Sequence, residues 1–157
     1  MSSMHVEVTE VIDARPEEVY AVFSDYEVAH HAILPKPYFV DMKVEQGGQG
    51  AGTVVRVWMN VFGAKREYHL TVSEPEPGRV LVESDPVAGM VTRFVVEPVG
   101  SGQQSRVTIA SDSPASPGFA GLMERLMNPP ITRRIYREEL HQLADYLRNR
   151  QAQPAAI

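Results

Sequence analysis

The chain has 157 residues, with 15 Lys and Arg against 20 Asp and Glu, a formal net charge of -5. The length favours one domain with its own core, expected over residues 1–150, and the acidic balance argues against a nucleic-acid-binding surface. Cysteine is absent, which excludes disulfides, thiolate catalysis and Cys-ligated zinc or iron–sulfur centres.

Val6, Val8, Val11 and Ile12, spaced by polar residues, predict a first strand. Asp13-Ala14-Arg15-Pro16-Glu17-Glu18 then reads as a helix start, with Pro16 in the first turn and two acids at its positive end. Val19, Tyr20, Val22 and Phe23 supply its buried side. Ser24-Asp25 opens a second short helix over 26–34, which Pro35 and Pro37 stop. The period then changes to two. Strands are expected over 38–44, 53–62, 65–72, 79–84, 91–97 and 106–111, joined by short Gly- and Pro-containing turns. Short connections mean antiparallel pairing.

From Ser116 the period becomes helical again. Phe119, Leu122, Met123 and Leu126 mark a first segment, and Tyr136, Leu140, Leu143 and Leu147 mark a second, stepping by 4, 3 and 4. Asn128-Pro129-Pro130 between them is expected to break or kink the helix. Residues 151–157 are expected to form a disordered tail. A half-apolar sheet needs a cover, and only this helix is long enough, at about 1.5 Å per residue. The expectation is an α+β fold: a curved antiparallel sheet of about seven strands wrapped on a long kinked helix, with two short helices closing one end. Such a sandwich leaves apolar space between its layers.

This order resembles the START-like, or SRPBCC, superfamily, which includes polyketide cyclases, pollen-allergen-like proteins, lipid-transfer domains and coenzyme-Q-binding proteins. The resemblance runs from about Val6 to Leu147. It rests on Ile12-Asp13-Ala14-Arg15-Pro16-Glu17-Glu18-Val19-Tyr20, Phe23-Ser24-Asp25, Gly50-Ala51-Gly52-Thr53, Glu74-Pro75-Glu76-Pro77-Gly78-Arg79, Thr92-Arg93-Phe94-Val95-Val96-Glu97-Pro98 and the terminal amphipathic helix. These are turn and cap residues that specify a helix-grip scaffold and no particular chemistry. The resemblance implies an internal apolar cavity for a lipid, quinone or polyketide.

Candidate ligand-binding residues are Tyr26, His30, Leu34, Val57, Met59, Tyr68, Leu70, Met90, Phe94, Leu122, Leu126, Met127, Ile131, Ile135 and Tyr136. Methionines such as Met59, Met90, Met123 and Met127 adapt to varied ligand shapes. Tyr68, His30 or Tyr136 would orient one polar end. His30 and His31 are expected as two exposed helix histidines, with one of them at the cavity entrance as the alternative. Adjacent helical positions diverge too widely for both to bind one ion, and no H-E-x-x-H spacing occurs, so neither a metal nor another cofactor is expected.

The run Gly47-Gly48-Gln49-Gly50-Ala51-Gly52 fails the phosphate-loop spacing and precedes a strand, so it reads as a turn. Asp25 is expected to cap the second helix. Arg125, Arg133, Arg134 and Arg137 are expected on a solvated face, with Glu124, Glu138 and Glu139 as ion-pair partners. The acid balance and absence of signals leave a cytoplasmic protein, monomer or homodimer, without nucleic acid or stable membrane insertion. Its expected function is binding, or transport, of a small hydrophobic or amphipathic molecule. The alternatives are a cyclase/aromatase that brings at least two of Tyr26, His30, Tyr68 and His69 into one pocket, and a ligand-free interaction module with a filled core.

Overall fold

Seven strands form one antiparallel sheet in the order β1-β7-β6-β5-β4-β3-β2 in a computed structural model that describes residues 3–152. They are β1 (Ser3–Ile12), β2 (Phe39–Gln46), β3 (Val54–Val61), β4 (Ala64–Glu76), β5 (Val80–Asp85), β6 (Met90–Val99) and β7 (Gln104–Pro114). Strands β2 to β7 are sequential neighbours, and β1 pairs with the last of them, from Ser3 opposite Pro114 to Ile12 opposite Ser105. Two short helices, α1 (Pro16–Ser24) and α2 (Ala29–Ile33), intervene between β1 and β2, and α3 (Gly118–Ala152) follows β7. The expected α+β helix-grip architecture is the one observed.

Alternation sorts the side chains. In β5, Leu81, Glu83 and Asp85 are buried while Val80, Val82 and Ser84 are only partly so. In β3, Val55 and Val57 point inward and continue through Met59, and in β6 Thr92, Phe94 and Val96 do the same. This face packs with Val19, Val22, Phe23, Leu140, Leu143 and Leu147 into one core.

The helix starts follow the expected chemistry. Pro16 is among the first residues of α1, and Glu18 reaches back to the Arg15 amide at 3.1 Å. Asp25 caps α2: its carboxylate accepts the amides of Val28 and Ala29 at 3.3 and 3.2 Å and the Gln49 side chain at 2.8 Å. Burial works against its charge, but these bonds outweigh it and hold the carboxyl below its ordinary value.

The glycine loop docks on the α1–α2 junction: Tyr26 N–H donates to the Gly48 carbonyl at 2.9 Å and Gly50 N–H to that of Ser24 at 2.8 Å. At Gly50, with φ of 59°, a Cβ would lie 2.5 Å from Glu74 Oε2. That carboxylate accepts the Ala51 amide at 2.8 Å, while its other oxygen accepts the Tyr20 hydroxyl at 2.6 Å. The loop is thus a structural clasp.

Two expectations about α3 need correction. Of the break or kink expected at Pro129-Pro130, the break does not occur: the helix runs continuously from Gly118 to Ala152. Both prolines lack a donor for the preceding turn, but that stretch is largely solvent-exposed, so water can satisfy the carbonyls they leave. The helix also carries through Gln151 and Ala152, where the tail was expected to begin; 153–157 lie outside the described residues. No helix among the described residues is long and apolar enough to cross a membrane.

Candidate functional site

Between the inner face of the sheet and α3 lies a cavity of about 560 Å³. Its sheet wall comes from β3, β4 and β6, through Val57, Met59, Tyr68, Leu70, Met90 and Phe94. Leu34 closes the α2 end, and Met127, Ile131, Ile135 and Tyr136 form the α3 wall. Together with His30, twelve of the fifteen sequence-selected residues line one space, whose rim also includes Phe62, Met123 and Pro129.

Tyr26, Leu122 and Leu126 do not line it. Tyr26 is wholly buried behind the wall and donates its hydroxyl to Glu83 Oε1 at 2.7 Å. Leu122 and Leu126 point outward, 50% and 62% exposed. The reason is length: α3 outruns the core, and between 118 and 134 only Gly121 is buried. The apolar period in that segment therefore does not mark a core face.

The floor of the cavity holds a polar group that sequence reasoning mostly missed. His30 is not an exposed helix residue; it is 2% exposed. Its ring sits 4.5 Å from that of Tyr26 and edge-on to Phe23 and Phe94. Nδ1–H donates to the Phe23 carbonyl at 2.7 Å, which fixes the ring. Nε2 then faces Glu139 Oε1 at 3.7 Å and Glu83 Oε1 at 3.9 Å, ion-pair separations longer than a hydrogen bond.

Glu139 is therefore not a surface partner of the arginines, as expected, but is 2% exposed and faces the cavity. Its Oε1 is buried without a hydrogen-bond partner. Arg134 pairs instead with Glu138 at 3.5 Å, one turn along. Signals for both buried acids were present. Glu83 stands two residues after inward-facing Leu81, and Glu139 stands four from both Ile135 and Leu143.

The electrostatics follow from burial and proximity. Burial opposes charge on His30, but the carboxylates of Glu139 and Glu83 outweigh it and raise the imidazole pKa above its ordinary value. Burial raises the Glu83 pKa, against the opposing effects of His30 and the Tyr26 hydroxyl. Burial also pushes the Tyr136 hydroxyl up to about 12, against bonding with Ser111 and Thr92. All three hydroxyl residues line the cavity, so its polar end offers hydroxyls, carboxyls and an imidazole.

The cyclase reading asks for at least two of Tyr26, His30, Tyr68 and His69 in one pocket, and His30 and Tyr68 share this cavity. His69 instead makes a 2.7 Å pair with Glu45 and is half exposed. The filled core of a ligand-free module is not what the structure has. Trp58 is half-buried and outside the lining. Among the described residues, no cluster of three or more His, Asp or Glu is arranged to hold a metal ion.

Residues 3–148 match the family described as polyketide cyclase / dehydrase and lipid transport. No curated protein matches the sequence. Among solved structures, the chain is similar to the KanY protein, at 29% identity over 94% of this chain and 99% of that one, with a TM-score of 0.81. It shares its fold with an aromatase/cyclase from a Streptomyces species, at 17% identity over 99% and 100% of the chains and a TM-score of 0.74. A START superfamily protein from Mycobacterium smegmatis has the same fold at 17% identity, covering 93% and 95%, with a TM-score of 0.59.

Proposed function

The chain belongs to the polyketide cyclase/dehydrase and lipid-transport family, and from that premise we propose that it binds a small apolar or amphipathic molecule, of lipid or aromatic polyketide type, between its sheet and α3. The observation that carries this reading is the cavity of about 560 Å³, within the roughly 300–1,000 Å³ typical of ligand pockets. Its walls are mostly Val, Leu, Ile, Met and aromatic side chains, with His30, Glu83 and Glu139 among its polar lining groups. Apolar ligand surface buried there contributes roughly 25 cal/mol per Å² before ordering costs. The methionines let the walls adjust to ligand shape.

Nile red, a neutral apolar fluorophore, tests this in solution. The expected result is saturable one-to-one binding with a blue-shifted emission. Met59→Trp, which adds bulk to the sheet wall, is expected to weaken that binding about tenfold or more without unfolding the protein. Equal binding by the variant would place the dye elsewhere and refute the reading.

Acid–base catalysis in the same cavity is a second reading, favoured by the position of His30 between Glu83 and Glu139. It requires turnover of an enolisable ligand that His30→Gln abolishes while binding persists.

A further inference from the structure

We propose that the ligand presents a hydrogen-bond donor, a hydroxyl or protonated amine, to the cavity floor, and that Glu139 receives it. This rests on the cavity reading above and adds the chemical class of the ligand's polar end.

The first observation is the unpartnered oxygen. Glu139 is 2% exposed and lines the cavity, yet its Oε1 has no hydrogen-bond partner. Buried carboxylate oxygens are normally bonded, and an unbonded one is costly. Two nearby donors are committed. Tyr26 gives its hydroxyl to Glu83 at 2.7 Å, and His30 gives its Nδ1–H to the Phe23 carbonyl at 2.7 Å. His30 Nε2 lies 3.7 Å from Glu139 Oε1 and supplies charge without a bond. Turning the ring to close that gap would sacrifice the Phe23 bond. Glu139 lines the cavity, so a donor brought in by the ligand can reach it.

The second observation is the balance of charge. Two carboxyl groups face one imidazole on this floor, so acceptors exceed donors. Thr92, Ser111 and Tyr136 line the same cavity and add hydroxyls but no positive charge. Arg66 also lines the cavity, but on its exposed side, where its charge stays solvated. A carboxylate head placed on the floor would meet Glu83 and Glu139 in a low dielectric. A quinone offers only acceptors and leaves Glu139 unbonded. A phenol, an alcohol, a hydroquinone or an amine fits.

Four compounds with one ring system separate these cases: naphthalene, naphthol, naphthylmethylamine and naphthoate, each displacing Nile red at neutral pH. Naphthol and naphthylmethylamine are expected to bind about tenfold or more tighter than naphthoate, with naphthalene between. Glu139→Leu should bring naphthol down to naphthalene. Glu139→Gln keeps an acceptor and the side-chain volume, so it should keep the naphthol preference and lose that of the amine. The wild-type series stands whether or not a variant folds, and thermal unfolding verifies each variant. Naphthoate binding as tightly as naphthol, or an unchanged order in folded Glu139→Leu, overturns the assignment while leaving the cavity reading intact. Failure of Nile red and naphthalene to bind at all overturns the cavity reading, and the head-group assignment falls with it.

Discussion

Replacing His30 by alanine is expected to cost about 3–5 kcal/mol of stability at neutral pH, because it leaves two buried carboxyl groups without their cation. Part of the loss is packing, since the ring contacts Tyr26, Phe23 and Phe94. The electrostatic part carries a pH signature.

In the wild type, the raised pKa of His30 gives stability that is fully present below the unfolded value of 6.5. It is lost as pH rises through the folded value. In the variant, Glu83 loses the charge that lowers its pKa, so it holds its proton further above the unfolded value of 4.5. The folded variant then binds more protons than the unfolded chain, and its stability falls with rising pH from the carboxyl range upward. Between about pH 5 and about pH 6 the His30 contribution of the wild type is still whole while the variant loses stability, so the gap between the two proteins widens over that window. Urea unfolding at both values measures it. Equal gaps would mean the cost is packing alone. His5, also raised by Asp112 and Glu7 but exposed, is the control: His5→Gln should leave the gap unchanged.

Leu140→Ala is expected to lose about 2–5 kcal/mol, whereas Leu126→Ala on the same helix should change stability by no more than about 0.5 kcal/mol. Leu140 is fully buried and packs in the core, while Leu126 is 62% exposed. The pair measures directly how α3 divides: its C-terminal half carries the buried Ile135, Leu140, Leu143 and Leu147, and its N-terminal half forms the exposed side of the cavity rim. Chemical denaturation of the two variants checks this. Similar losses would mean that the N-terminal half is packed in solution.

What was legible in the sequence was whatever depends on local period. Val55, Val57 and Met59 fell on one face by alternation, and Tyr136, Leu140, Leu143 and Leu147 fell on one stripe, so sheet, helix and most of the cavity wall followed. The polar floor was hidden for a physical reason. Glu is almost never fully buried without a partner, so Glu139 reads as solvated and Glu83 does not stand out unless His30 is known to stand beside them. That proximity is created by tertiary folding, with α2, β5 and α3 each contributing one residue. Taking the period literally would have found both acids, since each occupies an inward position.

The opposite error occurred at Leu122 and Leu126. Helical spacing of apolar residues says which face they share, not whether anything covers it. At Pro129-Pro130 the missing donors are real, but the exposed helix runs on through them without a break.

The most direct measurement uses the methionine methyl groups. All six methionines among the described residues line the cavity: Met4, Met42, Met59, Met90, Met123 and Met127. In a methyl-labelled sample titrated with naphthol, their resonances should shift together along one saturable curve. The methyls of Val19 and Leu147, in the core but outside the cavity lining, should stay in place. Shifts confined to the outward-facing Leu122 and Leu126, with the six methionines unmoved, would contradict an internal binding site.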